Sequence, residues 1–330
     1  MLGGKERSQI TPLEQGCILM PLDSQHRVSV VMPAWNRVGS IRMAVESVLR
    51  QTFTDFELLV VDDGSTDGTM DALYDITDPR LRCLANPRNM GPSAARNTGI
   101  RAARGDWVAF QDSDDEWLPQ KLEKQMARLA AAGGPDVVAC YTGMAILDQP
   151  EHIPKSRTIL SYIPGPDERI VEGDLQEALF AHSFISTQML MARRSTLLDI
   201  DGFDETLRAL EDWDCAIRLA QRGRFVFVDE PLVIQTFSDN SITRSRPRWL
   251  EARIRIVEKH GSALSALPHI LAGHHVVIAG EQRRTGNLAA ARTSLTVARK
   301  LRPYSLSVWL RTIRLLGLSV LPQEKLADKL

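Results

Sequence analysis

Short apolar runs alternate with amphipathic segments in the first third of the chain. The run VSVVM begins at Val28 without a regular polar alternation, which is typical of a strand covered on both faces in a parallel sheet. In the following IRMAVESVLRQT, apolar residues recur at i, i+3, i+4, i+7 and i+8 from Ile41 and form one helical face. FELLVV then predicts a second buried strand. Strand, helix and strand in this order predict a right-handed crossover between parallel strands.

The same alternation continues to residue 110. LRCLANP predicts a third strand, the segment 93–104 a helix and DWVAF a fourth strand. Polar residues follow these strands, with WN after the first, DDGS after the second and DSDD after the fourth. Because ligands of open α/β sheets bind beyond the carboxyl ends of the strands, the sequence predicts a binding site at this edge.

Later segments predict further elements. Trp117 and Pro119 are expected to begin the helix PQKLEKQMARLAAA. FISTQMLMARRSTLL begins with a strand-like run, and its residues 186–188 either face an acceptor or belong to an edge strand. GFDETLRALEDWDCAIRLAQRG predicts an amphipathic helix that starts at Glu211 and Asp212, where the helix dipole favours acids whatever their function. RWLEARIRIVEKH and a TPR-like helix pair in GNLAAARTSLTVARKLRP extend the chain beyond residue 246.

Composition narrows the function classes. The chain has 40 basic and 41 acidic residues among 330, so its net charge argues against a dedicated nucleic-acid binder. Its four cysteines are scattered and form no zinc-ligand pattern, which favours a reducing compartment. Residues 1–27 lack a long apolar stretch and predict a flexible tail without a secretory signal. We therefore expect a cytoplasmic protein.

The DSDD segment carries the strongest chemical signal. Adjacent carboxylates repel one another unless they are solvated, protonated or bound to a cation. Mg²⁺ or Mn²⁺ suits such oxygens, and these ions usually take one or two protein carboxylates and complete their shell with phosphate oxygens and water. An isolated D-x-D is more often a solvated turn or a set of helix-capping acids. At the end of a strand, D-S-D predicts a bound diphosphate, and the resemblance described next makes a metal that holds it the preferred interpretation.

Four ordered blocks resemble a known family over about residues 28–245. They are VSVVMPAWNR, SVLRQTFTDFELLVVDDGSTDGT, NPRNMGPSAARNTGIRAARGDWVAFQDSDDEWLPQKLEKQ and GFDETLRALEDWDCAIRLAQRGRF. Together they resemble glycosyltransferase family 2, the inverting enzymes with a GT-A fold. The resemblance implies an α/β fold with a Rossmann-like, mostly parallel sheet flanked by helices. It places a catalytic domain at 28–246, with a nucleotide-sugar half at 28–120 and an acceptor half at 121–246, before a helical extension at 247–330.

The resemblance also implies the site residues. The donor would be a sugar nucleotide, and the acceptor a glycan or a lipid-linked precursor of the cell surface. Asp114 would bind the metal, and Asp112 would contact the metal or the ribose. Asp212 would be the general base that deprotonates the acceptor hydroxyl, supported by Glu211. The residues expected to contact the nucleotide are Pro33, Trp35, Asn36, Asp63, Arg96, Asp112 and Ser113.

Asp63 and Arg96 have a specific expected function. An aspartate that accepts from a base N–H, beside an arginine that donates to a base carbonyl, matches uracil or thymine. A UDP- or dTDP-sugar is therefore the expected donor. Asp63 could instead bind its own turn, and Arg96 could form a surface ion pair.

Other functions stay open at this point. A sugar nucleotidyltransferase would need a glycine-rich phosphate loop after the first strand, which PAWNRVGS is not, and a dehydrogenase would need G-x-G-x-x-G there. A catalytically inactive relative would keep only the binding function. Thr236 and Ser238 stand where relatives often carry Arg and His, and Gln111 replaces an apolar residue.

The C-terminal extension has an uneven charge distribution. Residues 282–323 contain eight Lys or Arg and no acid, interleaved with Leu, Val, Trp309 and Ile313. Arg311 and Arg314 interrupt the longest apolar run, so it is too short to span a bilayer. The segment either contacts the anionic inner face of the membrane or forms a helical cap on the catalytic domain.

Overall fold

The protein's structure, a computed structural model, describes residues 27–148, 158–165, 168, 170–236 and 246–319. The chain forms two compact units. The described residues of the first unit lie within 27–179, 183–206 and 211–236, and those of the second lie within 180–182, 207–210 and 246–319. Ser238 and nearly all of the predicted N-terminal tail lie outside the described residues.

The first unit begins with the strands and helices that the sequence predicts. Every residue of the second strand is buried, as expected for a strand covered on both faces. The first four strands pair in parallel in the order third, second, first, fourth. The elements are β1 (Val28–Ala34), α1 (Ile41–Leu49), β2 (Phe56–Asp62), β3 (Leu81–Ala85), α2 (Pro92–Ala102) and β4 (Trp107–Phe110).

Close packing brings α2 against this parallel half. A Cβ atom on Gly99 would lie 2.3 Å from Cγ1 of Val31, well inside contact distance. Only glycine therefore lets the helix approach β1 this closely. As a result α2 carries Arg96 to the carboxyl ends of the strands, where the acidic DSDD segment begins.

The rest of the first unit extends the sheet in mixed directions. In the part of the chain that the structure describes, the sheet has nine strands. Eight follow the order β3-β2-β1-β4-β8-β6-β9-β5, and the ninth, β7, pairs with β6. The pairs β4–β8 and β6–β8 are antiparallel, whereas β6–β9 is parallel. The remaining elements are β5 (Glu116–Trp117), α3 (Lys121–Ala132), β6 (Val137–Asp148), β7 (Thr158–Ile163), α4 (Gln176–Ala181), β8 (Leu190–Arg193), α5 (Arg194–Asp199), α6 (Glu211–Ala220) and β9 (Arg224–Thr236).

Two sequence predictions about this half are wrong. Trp117 does not begin a helix, because it pairs with Val233 in the short ladder β5–β9 and its backbone N–H donates to Ser47 Oγ. Helix α3 begins only at Lys121. The edge-strand alternative for residues 186–188 is also wrong, because Thr187–Met189 form a short 3₁₀ turn before β8, and β8 itself has β4 on one side and β6 on the other.

The second unit is helical. Its elements are α7 (Arg246–Lys259), α8 (Gly261–Ser265), α9 (Pro268–Arg284), α10 (Leu288–Leu301) and α11 (Leu306–Ser319). The segment GNLAAARTSLTVARKLRP supplies one helix of a pair, α10, which packs on α9 through Ala279, Ala291 and Leu295.

Buried hydrogen bonds link Arg253, His274 and the Phe180 backbone in this unit. His274 Nε2 lies 2.7 Å from the Phe180 carbonyl oxygen, and its Nδ1 lies 3.0 Å from Arg253 Nη1. Burial lowers the pKa of His274 to about 4, so the ring is neutral at physiological pH. With Arg253 donating to Nδ1, the ring proton belongs on Nε2, where the carbonyl accepts it.

Candidate active site

The acidic loop after β4 is closed by two buried side chains. Gln111 is fully buried, and its Nε2 donates to the Asp115 carbonyl oxygen at 2.7 Å. Asp115 is only 2% exposed, and its Oδ2 accepts from Gln188 Nε2 at 2.8 Å. Burial, followed by the charges of Asp112 and Asp114, raises the pKa of Asp115 well above its ordinary value. Asp115 therefore anchors the loop, and Asp112 and Asp114 are left for chemistry.

Arg96 joins the acidic loop to helix α6. Its Nη2 lies 2.8 Å from Asp112 Oδ1, and its Nη1 lies 2.9 Å from Glu211 Oε1. The guanidinium is almost fully buried and lies 5.4 Å from the centre of the Phe203 ring. Burial opposes its charge, but Asp112 and Glu211 outweigh burial and raise the pKa of Arg96 above its ordinary value. One buried cation thus holds two acids that lie far apart in the sequence.

Asp212 lies beside this ion pair at the first turn of α6. Its Oδ1 accepts a hydrogen bond from the Trp213 backbone N–H at 2.8 Å. Burial, followed by the neighbouring charge of Glu211, raises the pKa of Asp212 to about 7. A carboxylate with such a pKa can take up a proton near neutral pH, which is what a general base requires.

Leu210 and Asp214 define the start of this helix. Leu210, directly before Glu211, has a φ of 58°, a conformation that is uncommon for a bulky residue. Asp214 is fully buried and pairs with Arg218 Nε at 2.7 Å. Asp214 is therefore used inside the helix, whereas Glu211 and Asp212 remain at its partly exposed end.

Asp114 is the most accessible acid of the loop. Its side chain is 45% exposed, and its Oδ2 lies 3.5 Å from Arg37 Nη2, which is itself 37% exposed. Such an exposed pair contributes little stability, so a cation could displace Arg37 at small cost. Among the described residues no three His, Cys, Asp or Glu side chains are grouped for metal binding. A pair of carboxylates nevertheless fits an ion whose other ligands are phosphate and water.

Asp63 has a clear structural function at the end of β2. Its carboxylate accepts from Asn86 Nδ2 at 2.7 Å and from the backbone N–H groups of Met90 and Gly91, at 3.0 and 2.7 Å for Oδ2. These bonds order the loop between β3 and α2. Among the described residues, the hydrogen-bond partners of Asp63 differ from those of Arg96, and no hydrogen bond joins the two side chains. Base recognition by them stays a prediction.

The loop after β1 supplies the other predicted nucleotide contacts. Pro33 lies in β1. Trp35 directly follows the last residue of this strand, and its side chain is 48% exposed. The Asn36 backbone N–H donates to Ser65 Oγ at 3.0 Å, and its side-chain oxygen accepts from Thr66 N at 2.9 Å. Asn36 thus joins the loops that follow β1 and β2. Ser113 is buried inside the acidic loop.

The sequence analysis missed the roles of Gln111, Asp115 and Gln188. Only the Gln111 contact has a local signal, because a polar residue replaces an apolar one four positions before its partner. Gln188 lies 73 positions from Asp115, so no local pattern could reveal that bond. Together the described contacts unite Arg96, Asp112, Glu211 and Asp212 at the carboxyl ends of the strands, as expected for an α/β binding site.

Known proteins are similar in sequence to this chain. The succinoglycan biosynthesis protein ExoO of Rhizobium meliloti is 32% identical over 298 residues, which are 88% of this chain and 82% of the relative. An Escherichia coli UDP-Glc:α-D-GlcNAc-diphosphoundecaprenol β-1,3-glucosyltransferase, WfgD, is 41% identical over 102 residues, which are 31% of this chain and 40% of that protein.

A solved structure agrees on the fold. The mannosyltransferase PcManGT of Pyrobaculum calidifontis, in complex with GDP-Man and Mn²⁺, superposes with a TM-score of 0.57. The superposition covers 96% of this chain and 85% of PcManGT at 18% sequence identity. The predicted GT-A fold is confirmed. Residues 29–197 also match the family model described as glycosyl transferase family 2. The chain is therefore a member of glycosyltransferase family 2.

Proposed function

We propose that the protein is an inverting, metal-dependent hexosyltransferase that moves a sugar from a UDP- or dTDP-sugar to an acceptor hydroxyl. The acceptor would be a cell-surface glycan or its lipid-linked precursor. The relative ExoO belongs to polysaccharide biosynthesis, and the name of WfgD specifies a UDP-sugar donor and a diphosphoundecaprenol acceptor. These names support the donor class and the acceptor class.

The observation that carries this proposal is a carboxylate of raised pKa, Asp212, beside the ion pair of Arg96 and Glu211. In an inverting transfer the acceptor oxygen bonds to the anomeric carbon on the face opposite the diphosphate, which leaves with the bonding electrons. The hydroxyl proton must pass to a base at that moment. Asp212 suits this step, because its pKa is raised to about 7 by burial and by Glu211.

Arg96 would organise the site rather than take part in proton transfer. By binding Glu211, it would hold that side chain in a fixed position beside Asp212. By binding Asp112, it fixes the acidic loop relative to α6. The same bridge reduces repulsion when a charged diphosphate binds near several carboxylates.

Asp114, with Asp112 beside it, would hold Mg²⁺ or Mn²⁺. Such an ion stabilises the negative charge of the departing diphosphate. Burial and the charge of Asp112 raise the pKa of Asp114, which indicates that its carboxylate lacks sufficient neutralising charge. The donor set and this electrostatic deficit both suit a hard divalent cation.

The nucleobase preference depends on the loops after β1 and β2. Asp63 holds the loop from residue 86 to residue 91, and Trp35 is exposed enough to stack on a base. We propose that Trp35, Pro33 and Asn36 line the nucleotide, while Asp63 uses its remaining acceptor capacity for a base N–H. The GDP-Man in PcManGT marks the competing possibility of a purine donor.

The membrane is a second expected partner. A diphosphoundecaprenol acceptor, as in the name of WfgD, keeps its sugar at a membrane surface. We propose that the chain acts at the cytoplasmic face, where it would meet such an acceptor. Contact through residues 282–319 would then bring enzyme and acceptor together.

A donor and acceptor screen tests the proposal. UDP-, dTDP- and GDP-sugars would be offered with Mn²⁺ and with lipid-linked saccharides, and product would be read by mass spectrometry. We expect transfer from a pyrimidine donor in the wild type. In Asp212→Asn we expect turnover to fall by about a hundredfold to ten-thousandfold with unchanged nucleotide affinity. Asp136→Asn, at an exposed pair with Arg224, serves as a matched control. Donor binding without turnover under every condition would instead indicate an inactive binding relative.

A further inference from the structure

Helix α11 has apolar side chains on two sides. On its inner side Val308 and Thr312 are buried, and Val308 packs with Ala272 and Ala298. On its outer side lies a stripe that we call the outer stripe, with exposures of 72% for Leu306, 42% for Trp309, 57% for Leu310 and 59% for Ile313. Trp309 and Leu310 follow Leu306, and Ile313 follows them, at steps of three or four positions, so the four residues share one side of the helix. A helix with apolar residues on both sides needs a second partner.

Basic side chains occur before and within α11. Lys300 and Arg302 shortly precede the helix, Arg311 lies in it, all three are exposed, and no acid occurs between residues 282 and 323. The whole chain has a net charge of −1, so this positive charge is a local feature. A partner that fits must therefore combine an apolar interior with a negatively charged surface.

Trp309 and Tyr304 are residues of the kind found where hydrocarbon meets water. Trp309 Nε1 donates to the Pro303 carbonyl oxygen at 2.7 Å, and the Arg299 guanidinium lies 5.1 Å from the Trp309 ring centre. Tyr304 is 98% exposed. Tryptophan, tyrosine and long basic side chains combine an apolar body with a polar end, and they are favoured where hydrocarbon meets water.

No helix of the described residues is both long and apolar enough to cross a bilayer. An amphipathic helix can instead lie along the bilayer surface, where its apolar side enters the acyl boundary and its basic residues meet lipid phosphates. An anionic bilayer thus supplies both features that the outer stripe and its surroundings require. Duplex nucleic acid would satisfy the positive charge but would leave Leu306, Leu310 and Ile313 in water.

We propose that the second unit binds an anionic membrane through α11, with Leu306, Leu310 and Ile313 inserted at the acyl boundary and Lys300, Arg302 and Arg311 at the headgroups. This inference rests on the membrane contact of the proposed function and assigns it to α11, and it can be tested without any glycosyl transfer. Absence of vesicle binding therefore leaves the proposed transferase activity standing, and absence of transfer leaves the membrane contact standing.

The test uses the full chain and sedimentation with two kinds of vesicle, phosphatidylcholine alone and phosphatidylcholine mixed with phosphatidylglycerol. We expect binding to the anionic vesicles only, with a decrease as salt rises. The double variant Leu310→Gln/Ile313→Gln should lower the partition coefficient at least about tenfold, because both side chains leave hydrocarbon contact. The double variant Arg302→Gln/Arg311→Gln should weaken binding and reduce its salt dependence.

Matched controls come from exposed residues of the first unit. Ile170→Gln and Tyr74→Ser replace apolar side chains that are 55% and 75% exposed, and they should leave vesicle binding unchanged. Bromine-labelled lipid should quench Trp309, measured as the difference between the wild type and Trp309→Phe. Turnover with a water-soluble acceptor should be unchanged in the α11 variants.

Three results would overturn the proposal. The first is wild-type protein that does not bind anionic vesicles at low salt, or variants of the outer stripe that bind as well as wild type. The second is a lower melting temperature of Leu310→Gln/Ile313→Gln without vesicles, which would mean that the chain itself covers the outer stripe. The third is a wild-type dimer that this variant converts to a monomer, which would make α11 an interface between two copies.

Discussion

Arg96 Nη1 lies 2.9 Å from Glu211 Oε1, although 115 positions separate the two residues in the chain. The other terminal nitrogen of the same guanidinium binds Asp112 of the acidic loop. Because the guanidinium is planar and nearly fully buried, it holds both acids in fixed positions. The acidic loop and the start of α6 are therefore joined by one side chain.

The first prediction concerns this bridge. Arg96→Lys keeps the charge but can no longer place two donors on two separate acids. A hydrogen bond to a charged group contributes about 1.5–3 kcal/mol, so losing one should reduce kcat/KM by about 10–100-fold. Steady-state kinetics would measure the loss. Arg101→Lys, an exposed substitution on the same helix, should change little.

Inhibition by nucleotides separates two roles for Arg96. An organising role predicts that UDP and GDP keep their relative inhibition constants in Arg96→Lys while kcat falls. A base-reading role predicts the reverse, with a changed UDP to GDP ratio and nearly normal kcat at saturating donor. The second outcome would show that Arg96 recognises the nucleobase.

Sequence patterns revealed the parallel half of the fold because its signals are local. Buried runs such as FELLVV and the polar residues after each strand lie within a few positions of one another, and β1 to β4 follow from them. The same holds for Glu211 and Asp212, which begin α6 as expected. A helix start needs only the neighbouring residues to be recognised.

Contacts between distant segments could not be predicted in this way. Trp117 lies in a strand because β9, more than a hundred residues later, offers it a backbone partner. No local pattern reveals that the Asp63 carboxylate binds residues 23 to 28 positions ahead, and its contact with a nucleobase stays a prediction. Gln111 binds the Asp115 carbonyl oxygen only because the acidic loop turns back on itself. These contacts form only after the chain has folded, so local sequence patterns do not reveal them.

The second prediction tests the cation. Asp114→Asn keeps the size of the side chain and removes the charge that a divalent ion needs. Metal ions contribute several kcal/mol to such transition states, so kcat/KM should fall by about a hundredfold or more. Calorimetry with UDP should also show a weaker response to added Mn²⁺. Full activity in this variant, or in wild type with excess chelator, would contradict the metal role.

The third prediction concerns Lys121, whose ammonium group is fully buried. Its Nζ lies 2.9 Å from Gln125 Oε1 and 3.9 Å from the centre of the Trp117 ring. Burial lowers the pKa of Lys121 from 10.5 to about 7. Between these values the unfolded chain holds a proton that the folded chain lacks. Stability from this group should therefore rise with pH across this interval, by at most about 1.4 kcal/mol per pH unit.

Urea unfolding from pH 7 to pH 10 would measure that dependence. The free energy of unfolding of wild type minus that of Lys121→Met should increase with pH. Lys124→Met, at the half-exposed pair with Glu230, is the control and should give a flat difference. A flat difference for Lys121→Met as well would mean that the Trp117 ring and Gln125 keep the ammonium charged in the folded state.

The last prediction joins proton transfer to pH. Burial and then the charge of Glu211 raise the pKa of Asp212 to about 7, and a general base acts only when it is deprotonated. The kcat/KM of wild type should therefore fall about tenfold for each pH unit below about 7. Removing the negative charge in Glu211→Gln should lower the pKa of Asp212, because the charge of Glu211 is the largest cause of the raised pKa after burial. The acid limb should then move to lower pH, while Asp136→Asn leaves it unchanged. An acid limb near pH 4 in wild type, or one that survives in Asp212→Asn, would assign the base to another residue.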